Sequence, residues 1–335
     1  MVTTTPVRDT CLALLLAWAS WSCAGVADRG SVPTMAEPGT AGEPKAAGPT
    51  YEAWQILDTR TGRALSFENL MEALARQDVI YVGEEHRNEH HVDAALRVLR
   101  ALDLRGLRPV LALEMFSWDG QAGLNRYLLT REMSREQFLE ATHWKENWGS
   151  PFEDYEPLIV YARHHTMPVL ALNPPRTLVR QIAFQGLDQA LADPAMARWG
   201  MRGETLADVP AYRQVVLDQL RRCHGGLSDA GYEHMYEASV FRDEGMAKTI
   251  ADFLRTRASQ QGPVVSYTGG GHIQYRVPVP DRVARRQAEE LRQVTVYMTA
   301  LDPGRLDAIQ QFLDQHIADY VWLTPVGQDG PPARC

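Results

Sequence analysis

Short runs of apolar residues recur along the chain, and each ends in a polar side chain or a glycine. Apolar runs of four or five residues bounded in this way are typical of strands buried in a parallel sheet. Four of them lie at residues 79–82, 110–113, 169–172 and 264–268. We also predict strands at residues 294–298 and 320–323, and a first short strand between residues 51 and 64.

Between the apolar runs, apolar residues are spaced three and four apart, as in amphipathic helices. This spacing predicts helices at residues 67–76, from His86 to about Leu104, and at 152–165, 282–292 and 307–315. The alternation of strands and helices predicts an α/β fold, with a central, largely parallel sheet flanked by helices. Residues 182–260 contain no strand-like run, so we interpret them as a helical insertion that caps one edge of the sheet.

Two of the predicted strands end in the same motif, Gly-x-x-His. It reads Gly83-Glu84-Glu85-His86 after the first strand and Gly269-Gly270-Gly271-His272 after the fourth. Glu114 and Asn173 follow the other two apolar runs directly. Because the carboxyl ends of parallel strands meet at one edge, where open α/β sheets bind ligands, we expect these polar groups to converge. The alternative is that each is an ordinary strand-to-helix turn with a polar cap.

The groups expected at this edge, Glu84, His86, Glu114 and His272, allow two kinds of chemistry. Nitrogen and oxygen donors together suit a divalent ion such as zinc, manganese or iron, which would activate water for hydrolysis. Without a metal, the carboxylates and imidazoles form an acid–base pair. The sequence contains no Gly-x-Ser-x-Gly elbow, no phosphate-binding loop and no dinucleotide fingerprint.

A second set of residues favours binding of a large flat cofactor with carboxylates, a description that fits haem. Aromatic residues are concentrated between residues 115 and 152, where Trp144 and Trp148 are predicted to share a helix face as a ligand wall or a core lid. A Cys-x-x-Cys-His motif is absent, so the haem would be bound non-covalently. The candidate axial ligands are Tyr236, Tyr232, His234 and Tyr275, and Arg176 is a candidate for pairing with an anionic group.

The amino-terminal region is predicted to direct the protein to the cell envelope. Residues 1–23 have a signal-peptide layout with an apolar core too short to span a bilayer, and Cys23 follows a small residue as in a bacterial lipobox. We therefore expect lipidation of Cys23 and a membrane anchor, with a plain secretory signal to the periplasm or medium as the alternative. Residues 24–50 are predicted to be a flexible linker, 51–325 the folded domain and 326–335 a tail.

Charge and cysteine content narrow the picture further. The 335-residue chain has a formal net charge of −8 and no long basic block, which disfavours nucleic-acid binding. Beyond the predicted signal peptide only Cys223 and Cys335 remain, too few for a disulfide scaffold, and they are either paired or both free.

Four motifs, in this order and spacing, resemble those of the ChaN-like haem-binding lipoproteins, in a wider group with the TraB/Tiki proteins and the erythromycin esterases. They are Gly83-Glu84-Glu85-His86, Leu113-Glu114-Met115-Phe116, Ala171-Leu172-Asn173-Pro174 and Gly269-Gly270-Gly271-His272-Ile273. The resemblance covers about residues 51–300 and implies an α/β core with a helical cap, and an envelope-anchored protein that binds haem or iron in iron acquisition.

By motif, Glu84, His86, Glu114 and His272 match the polar edge shared across the wider group, for some branches of which metal-dependent hydrolysis has been proposed. The haem-contacting residues do not transfer, because they lie in the variable cap. The resemblance leaves open whether a homodimer shares one ligand.

Overall fold

The computed structural model describes residues 50–130 and 132–331. The predicted signal peptide with Cys23, nearly all of the linker, and Cys335 lie outside the described residues, so these predictions stay as they are. Within the described part, Cys223 is disulfide-bonded.

Eight strands of the described residues form one sheet in the order β2-β1-β8-β7-β3-β6-β4-β5. The pairs among β3 to β8 are parallel, whereas β1 is antiparallel to both β2 and β8. The predicted α/β fold with a largely parallel sheet is therefore confirmed. The strands are β1 Ile56–Asp58, β2 Arg63–Leu65, β3 Val79–Glu84, β4 Val110–Ser117, β5 Val169–Asn173, β6 Val264–Gly269, β7 Gln293–Ala300 and β8 Tyr320–Thr324.

Helices cover both faces of the sheet, as expected when parallel strands are joined by crossovers. Every residue of β3, β4 and β6 is buried, which explains their continuous apolar runs. The helices of the described residues are α1 Phe67–Leu74, α2 Glu89–Leu104, α3 Gln121–Leu129, α4 Arg135–Ala141, α5 Trp144–Asn147, α6 Glu156–His164, α7 Arg176–Gln185, α8 Leu187–Leu191, α9 Pro194–Arg198, α10 Pro210–Cys223, α11 Asp229–Thr256, α12 Pro280–Ala284 and α13 Leu306–Asp314.

Two large apolar clusters form the core, one on each face of the sheet. Alternate residues of β3 show the division: Ile80 and Val82 belong to one cluster, and Val79 and Tyr81 to the other. Two smaller clusters lie among the helices between β5 and β6. None of the helices in the described residues is long and apolar enough to cross a membrane.

The helical segment between β5 and β6 begins at Arg176, the first residue of α7, which directly follows Pro175. Its last member, the 28-residue α11, packs against α7, β5 and α12. This docking brings the middle of α11, at Arg242 and Asp243, to the edge where the parallel strands end.

The helix predicted at residues 282–292 is wrong in its extent. Pro280 starts α12 at a first-turn position, where its missing N–H costs nothing, and the α-helix ends at Ala284. The following turns tighten to i→i−3 bonds at Arg286 and Gln287. The chain then turns into β7 because the Asp78 carboxylate accepts the Arg292 N–H at 3.2 Å.

Candidate functional site

The two Gly-x-x-His motifs lie side by side at the carboxyl edge of the sheet. In the parallel register of β3 and β6, Glu84 stands opposite Gly269. The His86 imidazole reaches over this pair, and a Cβ on Gly269 would lie 2.9 Å from His86 Nε2. The convergence expected from the sequence is therefore present, and a purely local capping role does not account for it.

Glu84 is a buried carboxylate surrounded by three donors. Tyr267 donates to its Oε2 at 2.6 Å, and Tyr155 donates to Oε1 at 3.0 Å. His86 Nδ1 lies 2.6 Å from the same Oε1. Burial by itself would lower the pKa of His86, but the charge and hydrogen bond of Glu84 outweigh it, so this pKa is raised. The pair therefore holds a proton on His86 and leaves the other ring nitrogen facing the strand ends.

Glu114, at the same edge on β4, lies at the centre of the site. Its Oε2 accepts the Gly269 backbone N–H at 2.6 Å, and its Oε1 accepts from Arg242 Nη2 at 2.5 Å. His272 Nε2 lies 3.2 Å from Oε1. Burial would raise the pKa of Glu114, but the positive charges of His272 and Arg242 hold it well below its usual range. This carboxyl group is therefore ionised at neutral pH.

His272 is held between two carboxylates. Its Nδ1 lies 2.6 Å from Asp243 Oδ1, and its Nε2 faces Glu114. Burial alone would lower the pKa of His272, but Glu114 and Asp243 together raise it to about 9. The imidazole is thus protonated at neutral pH, and Glu114–His272–Asp243 is a continuous chain of charges.

A small cleft of about 50 Å³, partly open to solvent, lies beside this cluster. Trp148 lines it and packs edge-on against His86, with 5.2 Å between ring centroids. Arg176, at the start of α7, and Arg242 also line it. Trp144 does not share this wall: it packs against Phe116 in the core. Of the predicted tryptophan wall, only Trp148 therefore borders the cleft.

Close packing explains why glycines occupy both motifs. A Cβ on Gly83 would lie 2.6 Å from Ile273 Cδ1 and 3.0 Å from Gly270 Cα. A Cβ on Gly270 would lie 2.5 Å from Tyr297 Cε2. The glycines therefore let β3 and the turn after β6 approach each other closely, which brings Glu84 and His86 next to Glu114.

Glu85, the middle residue of the first motif, faces away from the cleft. Its carboxylate accepts from Thr299 Oγ1 at 2.8 Å and from the Ala300 N–H at 2.9 Å, with Arg305 Nη1 at 3.3 Å. The Glu85 backbone N–H donates to Nδ1 of buried His91 at 2.9 Å. Burial lowers the pKa of His91 to about 3, so this ring is neutral. Glu85 and His91 fix the turn after β3.

The structure disperses the residues considered as haem ligands. Tyr232 and Tyr236 are buried between α10 and α11, where Tyr232 donates to the His224 carbonyl and Tyr236 to Asp208. His234 is half-buried against Gly186. Tyr275 lies in a groove of about 430 Å³ that is lined by residues at the amino ends of β7 and β8, away from the cleft. Arg176 alone of the five borders the cleft.

The four residues considered as metal ligands do lie together, but protein donors already occupy their oxygens. Glu84 and Glu114 accept from Tyr155, Tyr267, Gly269 and Arg242. Across residues 50–130 and 132–331, no group of three or more His, Cys, Asp and Glu side chains has the arrangement of a metal site. The predicted divalent ion therefore finds no support in this geometry.

Four further residues complete the site and were not selected from the sequence. Arg242 and Asp243 come from α11, and Tyr155 and Tyr267 supply the hydroxyls around Glu84. A signal was present for the first two: Arg242-Asp243-Glu244 is a charged triplet inside an otherwise apolar stretch of helix, and both of its carboxylates are fully buried.

Comparison with known proteins identifies a family and a fold that agree with this geometry. A family model described as haem-binding uptake, Tiki superfamily, ChaN matches residues 70–283, which include all four residues of the polar edge. A solved structure of Campylobacter jejuni ChaN, described as showing cofacial haem binding, has a TM-score of 0.60 at 20% identity. It covers 80% of this chain and 95% of that chain, and this likeness shows the fold.

Two other proteins are also similar to this chain. An erythromycin esterase mutant, EreC in its open conformation, has a TM-score of 0.44 at 13% identity, covering 80% of this chain and 95% of that chain. Protein RETICULATA-RELATED 5, chloroplastic, of Arabidopsis thaliana is 24% identical over 278 residues. That match covers 77% of this chain and 35% of the plant protein, so the chain spans about a third of that relative's length.

Proposed function

The chain belongs to the haem-binding uptake family of the Tiki superfamily that includes ChaN, and we propose that it binds haem non-covalently as a step in iron acquisition. The observation that carries this proposal is the family match over residues 70–283. The ChaN structure of Campylobacter jejuni has the same fold and is described as showing cofacial haem binding, which supports haem as the ligand.

For the haem site we propose the groove at the amino ends of β7 and β8, with Tyr275 as the axial ligand. Its volume of about 430 Å³ falls within the range of roughly 300–1,000 Å³ common for ligand sites. Tyr275 lines it half-buried, and its hydroxyl donates to Gln315 Oε1 at 2.8 Å. Tyrosine is an established protein ligand of haem iron. Tyr232 and Tyr236 fit less well, because coordination would pull them out of a packed core.

The backbone and the charges of this groove also fit haem. Tyr275, Arg276 and His316 have positive φ angles of 55°, 63° and 50°, and such strain concentrates at ligand sites. Arg60, with an 85% exposed side chain 3.8 Å from Asp58, lines the groove and would exchange this surface ion pair for one with a propionate. Val294 and Ala318 contribute apolar surface. Bound there, haem would supply the iron centre, and Tyr275 would hold it in place.

Titration of haem into the purified protein tests this proposal through the Soret band. We expect a saturable shift in the wild-type protein and its loss in Tyr275→Phe. Tyr51→Phe is a matched control, since that half-buried tyrosine also donates to a glutamine, Gln310 Oε1, at 2.7 Å. Absence of a saturable shift in the wild type would contradict haem binding. A shift that survives in Tyr275→Phe but disappears in Tyr236→Phe would move the site to the cap.

We further propose that the protein acts in the bacterial cell envelope, tethered through a lipid on Cys23 and the linker after it. An apolar segment followed by a cysteine at the chain's start supports this location. Fractionation of cells expressing the wild-type protein and Cys23→Ala tests it, with the wild type in the membrane fraction and the variant released to the soluble envelope fraction. Equal distribution of the two proteins would contradict the lipid anchor.

The polar edge supports a second candidate function, hydrolysis without a metal. The specific observation is the pair of carboxylate-bound imidazoles, Glu84–His86 and Asp243–His272, on either side of Glu114. His272, protonated at neutral pH, is an acid, and His86 Nε2 has no hydrogen-bond partner among the described residues, so it can act as the base. A panel of carboxylic esters tests this function. Turnover that resists chelator and is lost in both His86→Asn and His272→Asn supports it, and turnover unchanged in both contradicts it.

A further inference from the structure

The cleft beyond β4 and β5 contains hydrogen-bond donors that have no acceptor, and they point to a ligand that the haem proposal does not involve. The Arg176 guanidinium lines the cleft half-buried, and in the described part of the chain it makes no hydrogen bond or ion pair. Burial lowers its pKa, and the charges of Arg180 and Arg242 add to this effect. A half-buried cation beside a second arginine is costly unless an anion accompanies it.

A second unsatisfied donor belongs to Trp148, which also lines the cleft. Trp148 is only 5% exposed, and its Nε1–H has no hydrogen-bond partner among the described residues. Buried indole N–H groups are normally hydrogen-bonded, so an orphan donor in a cleft wall marks a place where an acceptor belongs. Trp148 borders the same cleft as Arg176 and is held edge-on by His86.

Arg242 supplies a third donor whose position is fixed. Its Nε donates to Asn173 Oδ1 at 3.2 Å and its Nη2 to Glu114 Oε1 at 2.5 Å. Its Nη1 makes no hydrogen bond within the described residues, and the side chain is 20% exposed. Two hydrogen bonds therefore fix the orientation of the guanidinium plane, and Nη1 remains available to a ligand in the cleft.

The first turn of α7 adds to the positive electrostatic potential in the cleft. This ten-residue helix begins at Arg176, next to the cleft, so the positive end of its dipole lies there. Asn147 Oδ1 accepts the Arg176 backbone N–H at 3.0 Å and orients this end of the helix. The Asp119 carboxylate lies nearby, but it accepts hydrogen bonds from Ser117 and Asn147. It forms no ion pair with Arg176 or Arg242.

We propose that this cleft binds a small organic monocarboxylate, held by Arg176, Arg242 Nη1 and Trp148 Nε1. The charges of Arg242 and His272 are already balanced by Glu114 and Asp243, so about one positive charge, that of Arg176, remains for the ligand. A single carboxylate matches this charge better than a phosphate dianion. The apolar side chains that also line the cleft, Met115, Pro174 and Val179, suit a short hydrocarbon portion.

Titration of the full chain with butyrate, followed by tryptophan fluorescence and calorimetry, tests this inference, with inorganic phosphate as the competing anion. We expect saturable butyrate binding that is at least about tenfold weaker in Arg176→Gln. Arg222→Gln is the matched control, because Arg222 is an exposed arginine of α10 that does not line the cleft, and it should bind butyrate as the wild type does. In Trp148→Phe the fluorescence response should disappear and the affinity measured by calorimetry should fall.

Three outcomes would overturn the proposal: no saturable binding, equal affinity in Arg176→Gln and wild type, or tighter binding of phosphate than of butyrate.

Competition with haem and with haem dimethyl ester then shows whether the bound carboxylate is a propionate of haem or a free carboxylate. If haem displaces butyrate and the ester does not, the cleft takes a propionate, which supports the carboxylate site and contradicts the Tyr275 groove. If neither displaces butyrate, the ligand is a free carboxylate. The butyrate result stands whether or not the protein binds haem.

Discussion

Asp243 Oδ1 lies 2.6 Å from Nδ1 of His272, although the two residues belong to a helix and to the turn after a strand that follows it in the chain. Asp243 is fully buried and also accepts from Tyr212 at 3.3 Å, so it is positioned from a second helix, α10. The same imidazole faces Glu114 on β4. His272 therefore joins the helical segment to the sheet through two ion pairs, and its protonation state affects both.

The raised pKa of His272 makes stability depend on pH in a defined direction. The folded-state pKa is about 9 and the ordinary pKa of histidine is about 6.5, so the stabilising contribution is complete below about pH 6.5 and is lost as the pH rises through about 9. Two to three pKa units correspond to about 3 kcal/mol. Urea unfolding at about pH 6 and pH 9 should show a fall of that order in the wild type and a smaller one in His272→Asn.

His164→Gln is the control for this measurement, because His164 is exposed at the end of α6. It should reproduce the pH dependence of the wild type. Stability that is equally steep in His272→Asn and in the wild type would show that other groups cause the alkaline loss.

The Arg242–Glu114 pair should contribute more than the surface ion pairs of this protein. Glu114 is buried, and removal of Arg242 leaves its Oε1 without its strongest donor. Breaking a buried pair costs about 3–5 kcal/mol, and the 20% exposure of Arg242 favours the lower end. We expect Arg242→Met to lower the free energy of unfolding by about 2–3 kcal/mol, with a coupling above about 1 kcal/mol when it is combined with Glu114→Gln.

The exposed pair Arg255–Asp252 on α11 provides the comparison for this double-mutant cycle. Its coupling should be below about 1 kcal/mol, because solvent screens both charges. Similar coupling energies for the two pairs would mean that Glu114 is not held by Arg242 as the geometry indicates.

The glycine of the first motif should be intolerant of a methyl group. A Cβ at Gly83 meets Ile273 Cδ1 at 2.6 Å and the backbone of Gly270 at 3.0 Å, so Gly83→Ala forces the two motifs apart. Overpacking of this kind costs about 1–3 kcal/mol. Gly203→Ala is the control, since nothing lies within 4 Å of its Cβ, and it should change stability by less than about 1 kcal/mol. Thermal unfolding of the two variants checks this; equal melting temperatures would contradict it.

The sheet and half of the site could be predicted because their signals are local. An apolar run followed by Gly-x-x-His specifies a strand and its polar end without knowledge of its neighbours, and parallel pairing then places Glu84, His86, Glu114 and His272 together. Arg242 could not be assigned in the same way. Its approach to Glu114 depends on how the 28-residue helix α11 docks on β5, which is a tertiary property.

The cofactor residues were harder to predict for a related reason. Tyr232 and Tyr236 are spaced four apart on a helix, a spacing that is the same for a core face and for a ligand wall. In the structure their rings lie in the core between α10 and α11. Tyr275 differs because its left-handed backbone turns it into a groove, and the sequence around it, with no glycine at that position, gives no sign of this turn.

The effect of zinc on stability distinguishes a metal-binding site from a site whose donor atoms already have protein partners. A protein whose folded state binds zinc at 100 times its Kd gains about 2.7 kcal/mol of unfolding free energy. Glu114 Oε1 is taken by Arg242 and His272, and Glu84 by two tyrosines and His86, so zinc would have to displace protein donors and approach a guanidinium cation. We therefore expect the melting temperature to be the same with zinc and with chelator. Arg242→Ala removes the guanidinium and leaves His272 as the one remaining partner of Oε1 among the described residues, so this variant should gain stability on zinc addition if occupancy is the reason. Stoichiometric zinc in wild-type protein purified without chelator, lost in His86→Ala/His272→Ala, would instead establish the metal-dependent site.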